Sequence, residues 1–373
     1  MRVLLLHNRY RAQGGEERAV ADLQVLLRER GHDVELLERS SAAAGRVGAA
    51  TALARGGEDP DQVRDAVRRL DADVVHAHNL HPLFGWRALA AARSAGARTV
   101  VHLHNFRLFC AISIAYRDGA ACFRCRGRNT LPGLRLRCRG SLPEAAAYAF
   151  GLHRQQPHLV AQADVLVAVS AATAQRLVGL GLPAAQTRSV PNFVPAAGFA
   201  GRSEAAAGEY ALVSGRLVEE KGFDTAIEAA RAAGVPLVVA GEGPDAPRLR
   251  SLAHAADVRF TGRLAAGALA ELRRGAGAVL VPSRWEEPCP YSALDALAAG
   301  VPVLASDQGG LPELVGDEAV LPADQPRRWR EALEALWSDP AARAERGAQA
   351  LERARARFSE QAYYDRLMEI YSG

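Results

Sequence analysis

The clearest chemical signal in the sequence is a pair of cationic side chains near the middle of the chain. Arg216 and Lys221 lie five residues apart in SGRLVEEKGF, between a predicted strand and a predicted helix. Lys221 is the one lysine among 46 basic residues, so a compact ammonium stands here in a chain that otherwise uses arginine. A guanidinium and an ammonium before a helix suit the clamping of a diphosphate. The alternative is a surface ion pair with Glu219 or Glu220.

Two carboxylates form a second candidate site. Glu287 and Asp295 are eight residues apart, and a predicted helix over 292–299 begins between them. Carboxylates accept hydrogen bonds from hydroxyl groups, so this pair suits two parts of one polyhydroxylated ligand, for instance a sugar and a ribose. Glu286 is the alternative to Glu287 as the inward-facing acid.

Two pairs of glycines precede predicted helices. Gly14 and Gly15 follow the first strand in HNRYRAQGGEE, and Gly309 and Gly310 follow a later strand. Glycine lets a ligand approach the backbone N–H groups at the positive end of a helix, so both turns are candidate anion sites. An ordinary tight turn is the alternative for Gly14 and Gly15.

Four of the five cysteines follow the pattern C-x11-C-x2-C-x12-C, at Cys110, Cys122, Cys125 and Cys138. This pattern predicts a structural zinc ion held by four thiolates. The ion would stabilise an arginine-rich insertion over 106–140. A set of buried thiols or a redox pair is the alternative. A catalytic role for the zinc is not expected, because four thiolates leave no open coordination position.

Five histidines follow the third and fourth predicted strands: His76, His78, His81, His102 and His104. In each H-x-H pair both side chains face one side of the strand, an arrangement that also suits a metal. We favour structural or substrate-contacting roles for these histidines.

The elements that must position these residues come from the hydrophobic pattern. Short Val- and Leu-rich runs alternate with amphipathic segments, which predicts an α/β fold of parallel sheets covered by helices. Strands are predicted at 3–7, 34–37, 74–77, 99–103, 165–169, 211–214, 237–240, 258–261, 278–281 and 303–305, and helices at 16–30, 61–70, 86–95, 292–299 and 359–371. A length of 373 residues favours two domains, joined by a predicted linker over 191–209.

Composition and charge narrow the class of protein. The chain is 49% hydrophobic and 24% charged, as in folded globular proteins. No apolar run has the roughly 18 residues of a membrane-spanning helix, and the N-terminal run is too short for a signal peptide, so we expect a cytoplasmic protein. Residues 117–154 carry eight Arg against two acids. This excess predicts an anionic partner, such as a phosphorylated acceptor or the acidic face of a membrane, with a solvated loop as the alternative.

Taken in chain order, the motifs resemble those of glycosyltransferase family 4. The matching elements are GGEE at 14–17, HN at 104–105, GRLVEEKG at 215–222, GEG at 241–243, FTG at 260–262, the Glu287/Asp295 pair in place of a Glu-x7-Glu element, and GGLPELV at 309–315. The resemblance implies the GT-B fold, with two Rossmann-like domains facing across a cleft. It implies an acceptor domain over 1–192, a donor domain over 193–356 and a helix over 357–373 that crosses back to the first domain.

The resemblance also implies residue roles. Arg216 and Lys221 would bind the donor diphosphate, Glu287 the sugar hydroxyls and Asp295 the ribose, while His104 would face the transferred sugar. The predicted catalytic set is His104, Arg216, Lys221 and Glu287. The further donor-binding residues are Gly15, Gly241, Gly243, Cys289, Tyr291, Ser292, Gly309 and Gly310, and the acceptor-binding residues are Arg9, Gly14, Gly15, His78 and Asn105.

The implied activity is transfer of a sugar from a nucleoside-diphosphate sugar to an acceptor hydroxyl, with retention and without a metal cofactor. Such enzymes act in polysaccharide, glycolipid or natural-product biosynthesis, and the basic stretch would suit peripheral contact with the inner membrane face. Two departures from the family are Asp295, where Glu is usual, and the prolines Pro288 and Pro290, which lack backbone donors.

Three other functions are alternatives. The first is a nucleotide-sugar epimerase of the same fold, and the second is an arginine-rich zinc protein that binds nucleic acid. Nucleic acid is not expected, because the basic stretch has few aromatic side chains on which bases could stack. The third, an NAD-dependent dehydrogenase, is disfavoured because no G-x-G-x-x-G follows the first strand.

Overall fold

The computed structural model describes residues 1–9, 14–254 and 256–373. Residues 10–13, which belong to the predicted glycine-containing loop HNRYRAQGGEE, lie outside the described residues. The chain forms two compact units: unit 1 is Met1–Ala115, Cys122–Val190 and Asp365–Gly373, and unit 2 is Tyr116–Ala121 and Pro191–Tyr364. The main division therefore falls at 190/191, where the sequence predicted 192/193, and the C-terminal segment grouped with unit 1 is 365–373 rather than 357–373.

The strands are, in chain order, β1 (Arg2–Arg9), β2 (Asp33–Ser40), β3 (Val74–His78), β4 (Arg98–Leu103), β5 (Tyr116–Arg117), β6 (Ala120–Ala121), β7 (Val165–Ala168), β8 (Thr187–Ser189), β9 (Tyr210–Ser214), β10 (Leu237–Ala240), β11 (Val258–Gly262), β12 (Ala276–Val281), β13 (Val303–Ser306) and β14 (Val320–Leu321).

The helices are α1 (Gly15–Glu29), α2 (Gly45–Arg55), α3 (Pro60–Leu70), α4 (Gly85–Ser94), α5 (Leu131–Arg135), α6 (Leu142–Gln162), α7 (Ala171–Gly179), α8 (Phe223–Ala233), α9 (Ala246–Leu252), α10 (Ala266–Arg274), α11 (Tyr291–Ala298), α12 (Leu311–Val315), α13 (Pro326–Ser338), α14 (Pro340–Arg357) and α15 (Glu360–Ser372).

The sheet of unit 1 has six parallel strands in the order β2-β1-β3-β4-β7-β8. Four consecutive residues of β1, residues 3–6, are fully buried, as expected of a parallel strand with helices on both faces. His7 pairs with His78 and His78 with His102 across the neighbouring strands. The register therefore brings histidines from three strands together at one edge of the sheet.

The sheet of unit 2 also has six parallel strands, in the order β11-β10-β9-β12-β13-β14. Strand β9 lies between β10 and β12, so the strand order changes direction at β9. Ligands of open α/β sheets bind beyond the carboxyl ends of the strands at such a switch point. A ligand-binding site is therefore expected at the loops that follow β9 and β12. These loops carry Lys221 and Glu287.

The predicted elements are confirmed, with ends shifted by at most three residues. Strands β5, β6, β8 and β14 were not predicted, because two or three residues are too few to show an alternating pattern. The helices that were also missed are α2, α5, α6 and α7 in unit 1 and α13 and α14 in unit 2. Helix α6 carries Pro157 in its interior, and α2 is dominated by Ala and Gly without a clear apolar face.

The predicted linker over 191–209 begins at the junction of the two units, but its residues are packed within unit 2 and do not form an open linker. Phe193, Val194 and Ala205 are buried, and the Val194 N–H donates to the carbonyl of Phe358 at 2.9 Å. These residues belong to unit 2 and contribute to its packing. The segment 116–121 also groups with unit 2, although the sequence placed the whole insertion over 106–140 in the first domain. Across the described residues, every helix is too short or too polar to cross a lipid bilayer.

Candidate functional site

The loops after β9 and β12 bring together two of the predicted site residues. Lys221 ends a short 3₁₀ turn over Glu219–Lys221, and its Nζ forms an ion pair with Glu287 Oε1. The Glu287 side chain is 3% exposed and that of Lys221 is 26% exposed. Ser283 Oγ donates to the same carboxylate oxygen at 2.6 Å, so Glu287 is held from two sides. The predicted alternative, an ion pair of Lys221 with a neighbouring glutamate, is not the pairing that forms.

Trp285 completes the surroundings of the lysine. Its ring centroid lies 5.5 Å from Lys221 Nζ, within the range of a cation–π interaction. A buried carboxylate and an aromatic face thus fix the one ammonium of the chain.

Arg216, in contrast, forms a surface ion pair with a neighbouring glutamate, which was the alternative to diphosphate binding. Its Nη2 lies 3.3 Å from Glu220 Oε1, and its side chain is 65% exposed. An ion pair this exposed contributes little to stability, so the guanidinium can exchange this contact at small cost.

A charged network links the Lys221 loop to the loop after β12, and the sequence did not suggest it. Arg284 Nη2 forms an ion pair with Asp224 Oδ1 at 2.8 Å, and the Arg284 backbone N–H donates to the Glu220 carbonyl at 2.8 Å. Arg248 lies 3.3 Å from the other Asp224 oxygen. Burial opposes ionisation of Asp224, but the hydrogen bond from Arg284 and the two positive charges outweigh it and lower its pKa.

Gly241 and Gly243 serve close packing of the loops. A Cβ at Gly241, where φ is 145°, would lie 1.8 Å from the Gly215 carbonyl oxygen. A Cβ at Gly243 would lie 2.2 Å from the Leu217 carbonyl oxygen. Glycine is required at both positions so that the loops after β9 and β10 can approach each other.

The turn at Gly309 and Gly310 contacts the loop that carries Glu287. The Gly310 N–H donates to the Glu287 carbonyl at 2.7 Å, and a Cβ at Gly309 would lie 2.4 Å from the same oxygen. The Gly310 amide, which the sequence offered to an anion, is thus engaged within the protein.

Asp295, predicted to accept ribose hydroxyls, has a buried cationic partner. Arg273 Nη2 lies 3.3 Å from Asp295 Oδ2, and the two side chains are 8% and 14% exposed. Sequence reasoning missed Arg273, because it lies 22 positions earlier at the end of another helix and no local motif marks it.

The remaining donor-side residues surround the start of α11. Cys289 is buried, which raises the pKa of its thiol to about 12, and its carbonyl accepts from Asn192 Nδ2 at 3.2 Å. Tyr291 and Ser292 form the first turn of α11, whose N-cap is Pro290. The first amide groups of a helix point away from it and carry partial positive charge, so this end suits an anion.

In unit 1 the histidines form hydrogen-bonded pairs. His78 Nδ1 lies 2.9 Å from His104 Nε2, and His76 Nε2 lies 3.2 Å from His102 Nδ1. His76 Nδ1 is also 2.7 Å from the Tyr371 hydroxyl. One ring nitrogen from each of His76, His78 and His102 lies within 4.8 Å of the others, the one such group among the described residues.

Burial keeps these imidazoles neutral. It lowers the pKa of His102 to about 3 and that of His81 to about 4. Burial and the neighbouring histidines hold the pKa of His104 well below its usual value. His104 can therefore exchange a hydrogen bond with a ligand at neutral pH, but it does not offer a positive charge.

The predicted acceptor residues have partners of their own. The Gly14 N–H donates to Glu17 Oε2 at 2.7 Å, and Gly15 begins α1 with Glu16 and Glu17 in its first turn. Acidic side chains already complement this helix end, which disfavours the predicted anion site there. Arg9 lies 3.8 Å from Glu38, and Asn105 donates to Glu16 at 3.4 Å. His78 is buried and is hydrogen-bonded to His104.

Two family models match the chain. The model described as Glycosyltransferase Family 4 matches residues 13–197, and that described as Glycosyl transferases group 1 matches residues 202–357. The two matches follow each other without overlap and together span most of the sequence.

Curated relatives are about one-third identical to this chain over the parts that align. D-inositol 3-phosphate glycosyltransferase of Kineococcus radiotolerans is 32% identical over 273 residues, which is 62% of this chain and 61% of the relative. A GDP-mannose-dependent alpha-(1-6)-phosphatidylinositol monomannoside mannosyltransferase of Mycobacterium tuberculosis is 36% identical over 177 residues, which is 41% of this chain and 46% of the relative. The chain thus matches between about half and three-fifths of these relatives' lengths.

Solved structures share the fold at low identity. Sucrose-phosphate synthase from Thermosynechococcus elongatus has a TM-score of 0.73 at 17% identity, with 100% of this chain and 98% of that chain covered. Anabaena HepE in complex with UDP has a TM-score of 0.67 at 17% identity, with 100% of both chains covered. The fold is GT-B, and by its motifs, its two family matches and this fold the chain belongs to glycosyltransferase family 4.

Proposed function

We propose that the protein transfers a sugar from a nucleoside-diphosphate sugar to an acceptor hydroxyl, with retention at the anomeric carbon. The observation that carries this proposal is the Lys221–Glu287 pair at the switch point of the unit 2 sheet. The pair offers a cation to a phosphate oxygen and an acceptor to a sugar hydroxyl in one place. The relatives support a sugar nucleotide, because one is named GDP-mannose-dependent and HepE was solved with UDP.

Lys221 and Arg216 are assigned to the diphosphate. Negative charge grows on the diphosphate as its bond to the sugar breaks, and a cation that is already in place stabilises that charge without reorganisation. Glu287 and Trp285 hold the Lys221 ammonium in advance. Arg216 would leave its exposed contact with Glu220 to meet a second phosphate oxygen. The N-terminus of α11 adds partial positive charge.

Glu287, Asp295 and His104 are assigned to the sugar and the ribose. Glu287 Oε1 is engaged by Lys221 and Ser283, so we assign its second oxygen to a sugar hydroxyl. Asp295 would accept from the ribose while Arg273 balances its charge. Neutral His104, oriented by His78, would exchange a hydrogen bond with the transferred sugar.

The proposed reaction needs no nucleophile from the protein. The acceptor hydroxyl oxygen bonds to the anomeric carbon on the face from which the diphosphate departs. The bond between that carbon and the diphosphate oxygen breaks with its electron pair, and the hydroxyl proton passes to the departing diphosphate. The configuration at the anomeric carbon is therefore retained.

For the acceptor we propose an anionic or lipid-linked molecule at the cytoplasmic face of a membrane, in glycolipid, polysaccharide or natural-product synthesis. Five arginines of unit 1 have exposed side chains: Arg124, Arg126, Arg128, Arg135 and Arg137. Three of the large exposed apolar side chains of the described residues belong to the same basic stretch of the sequence, 117–154, at positions 131, 142 and 150. Arginines beside exposed apolar groups suit contact with anionic lipid headgroups and the adjoining acyl region.

The test is a screen of UDP-, GDP- and ADP-sugars for thermal stabilisation, followed by product analysis with candidate acceptors. A ligand at 100 times its Kd adds about 2.7 kcal/mol to the stability, which is readily detected. We expect one nucleotide class to stabilise the protein and the sugar to be consumed only when an acceptor is present. Conversion of the donor sugar without an acceptor would favour an epimerase instead.

A further inference from the structure

The four cysteines of the C-x11-C-x2-C-x12-C pattern converge in unit 1. The Cys138 N–H donates to the Gly133 carbonyl at 3.1 Å, and a Cβ at Gly133 would lie 3.5 Å from Cys125 Sγ, so Cys125 and Cys138 are neighbours. Electrostatic interactions also link Cys125 with Cys110 and Cys122. All five cysteines of the chain are described, and the structure joins none of them in a disulfide. The fifth, Cys289, is buried in unit 2. The fold thus gathers four thiols that the sequence spreads over 29 positions, from 110 to 138.

The backbone around Cys110 is turned toward its sulfur. The N–H groups of Ile112, Ser113 and Ala115 interact with the Cys110 sulfur, and that of Gly133 interacts with the Cys125 sulfur. Ser113 and Ala115 adopt positive φ values of 68° and 48°, which non-glycine residues rarely do. Burial outweighs these donors: it raises the pKa of the Cys110 thiol, and it raises that of the Cys125 thiol to about 11. A metal bound here would therefore displace the thiol protons.

The segment that carries these cysteines has almost no core of its own. Between positions 117 and 144 the buried residues are Thr130 and Gly133, neither of which is a large apolar side chain. Its regular structure is a hairpin with two residues in each strand and the five-residue helix α5. A segment of this kind is commonly held by a disulfide or a metal, because burial alone does not offset the entropy of ordering it.

We propose that Cys110, Cys122, Cys125 and Cys138 bind one structural Zn²⁺ in a tetrahedral, all-thiolate site. In a tetrahedral site, Zn–S bonds of about 2.3 Å place the sulfur atoms about 3.8 Å apart. No three of the four sulfur atoms lie that close to one another in the structure. Metal binding would therefore draw the loops inward. Zinc is favoured over harder cations because thiolates are soft ligands.

The site would fix the base of the β5–β6 hairpin. Cys110 and Cys122 bracket this hairpin along the chain, and its strands pair between Tyr116 and Ala121. Within unit 2 the hairpin lies against the Lys221 loop: a Cβ at Gly119 would lie 3.8 Å from Glu219 Oε1. Loss of the metal is thus expected to loosen a hairpin beside the loop that carries Lys221.

The experiment is metal analysis of the untagged, full-length protein by inductively coupled plasma mass spectrometry. We expect one zinc per chain, and less than a tenth of that in Cys125→Ser and Cys138→Ser. Cys289→Ser is the matched control and should keep the full content. Growth with Co²⁺ should give the visible absorption of a tetrahedral cobalt–thiolate centre in the wild type.

If the cysteine variants do not fold, the proposal can still be tested with the wild-type protein. Titration of the wild type with an organomercurial should release one zinc, measured with a metallochromic dye, as four thiols react. The proposal is overturned by wild-type protein without stoichiometric metal, by disulfides among these cysteines in mass spectra of alkylated protein, or by full zinc content in Cys125→Ser. Metal content is independent of donor binding, so the outcome is separate from that of the transferase proposal.

Discussion

At the scale of single residues, Lys221 carries the proposed chemistry. We expect Lys221→Ala to lower the transfer rate by on the order of 10²-fold or more, because the growing charge on the diphosphate loses its fixed cation. Steady-state kinetics with the donor identified by the screen measures this effect. Arg231→Ala removes an exposed cation from α8 and is the matched control. A wild-type rate in Lys221→Ala would remove the proposed role of this residue.

Stability must be measured in the same variants. Lys221→Ala leaves the buried Glu287 carboxylate without its cation, which should cost on the order of 3 kcal/mol and lower the melting temperature. The double variant K221M/E287Q removes both charges and should regain most of this stability, yet remain inactive. If the double variant regained activity as well, the loss in Lys221→Ala would be structural rather than electrostatic.

The sequence identified candidate residues but not the partners that the structure gives them. It singled out Lys221 and Glu287 separately, and the structure pairs them across 66 positions. It gave no hint that Arg273 balances Asp295. Motifs report local spacing, whereas partners of this kind are set by how distant loops pack, and a single sequence does not encode that packing in any local pattern.

At the scale of elements, the histidines at the strand ends make unit 1 sensitive to acid. Their pKa values in the folded protein lie below 6.5, including about 3 for His102 and about 4 for His81. The unfolded chain therefore binds more protons between those values and pH 6.5. Stability should be highest above pH 6.5 and should fall as the pH drops, by about 2 kcal/mol at pH 5 for each such histidine.

Urea unfolding at several pH values between 5 and 7.5 tests this expectation. His102→Asn should reduce the number of protons taken up on unfolding near pH 5.5 by about one. A free energy of unfolding that does not vary between pH 7 and pH 5.5 would contradict the buried, neutral state of these imidazoles.

Elements with a clear hydrophobic pattern could be predicted, and the others could not. The central strands β1, β9 and β12 contain apolar runs of at least four residues, and locating the last two was enough to place the candidate loops after them. The prediction of a linker over 191–209 failed because the Pro and Gly content of this stretch is typical of linkers. Its apolar side chains nevertheless pack within unit 2. Packing against distant residues overrode the local signal there.

At the scale of the whole molecule, the basic surface of unit 1 should direct the protein to anionic membranes. We expect co-sedimentation with vesicles containing phosphatidylglycerol and weak binding to phosphatidylcholine vesicles, with a strong decrease as salt is raised. Leu142→Ser with Phe150→Ser should weaken binding, because both side chains are more than half exposed and available to the bilayer. Val25→Ser, an exposed apolar residue on α1, is the control.

Binding that ignores lipid charge and salt would contradict this account of the surface. Tight, salt-dependent binding of nucleic acid would instead favour the alternative of an arginine-rich nucleic-acid protein.

The central claim is that unit 2 binds a nucleoside-diphosphate sugar through Lys221. Isothermal titration of the wild type, Lys221→Met and Arg188→Ala with UDP-, GDP- and ADP-sugars tests it most directly, since Arg188→Ala removes an exposed cation from unit 1. We predict that one nucleotide class binds the wild type and Arg188→Ala equally at one site per chain, and that Lys221→Met binds it at least tenfold more weakly. Absence of binding by every sugar nucleotide, or equal affinity in Lys221→Met, would contradict the claim.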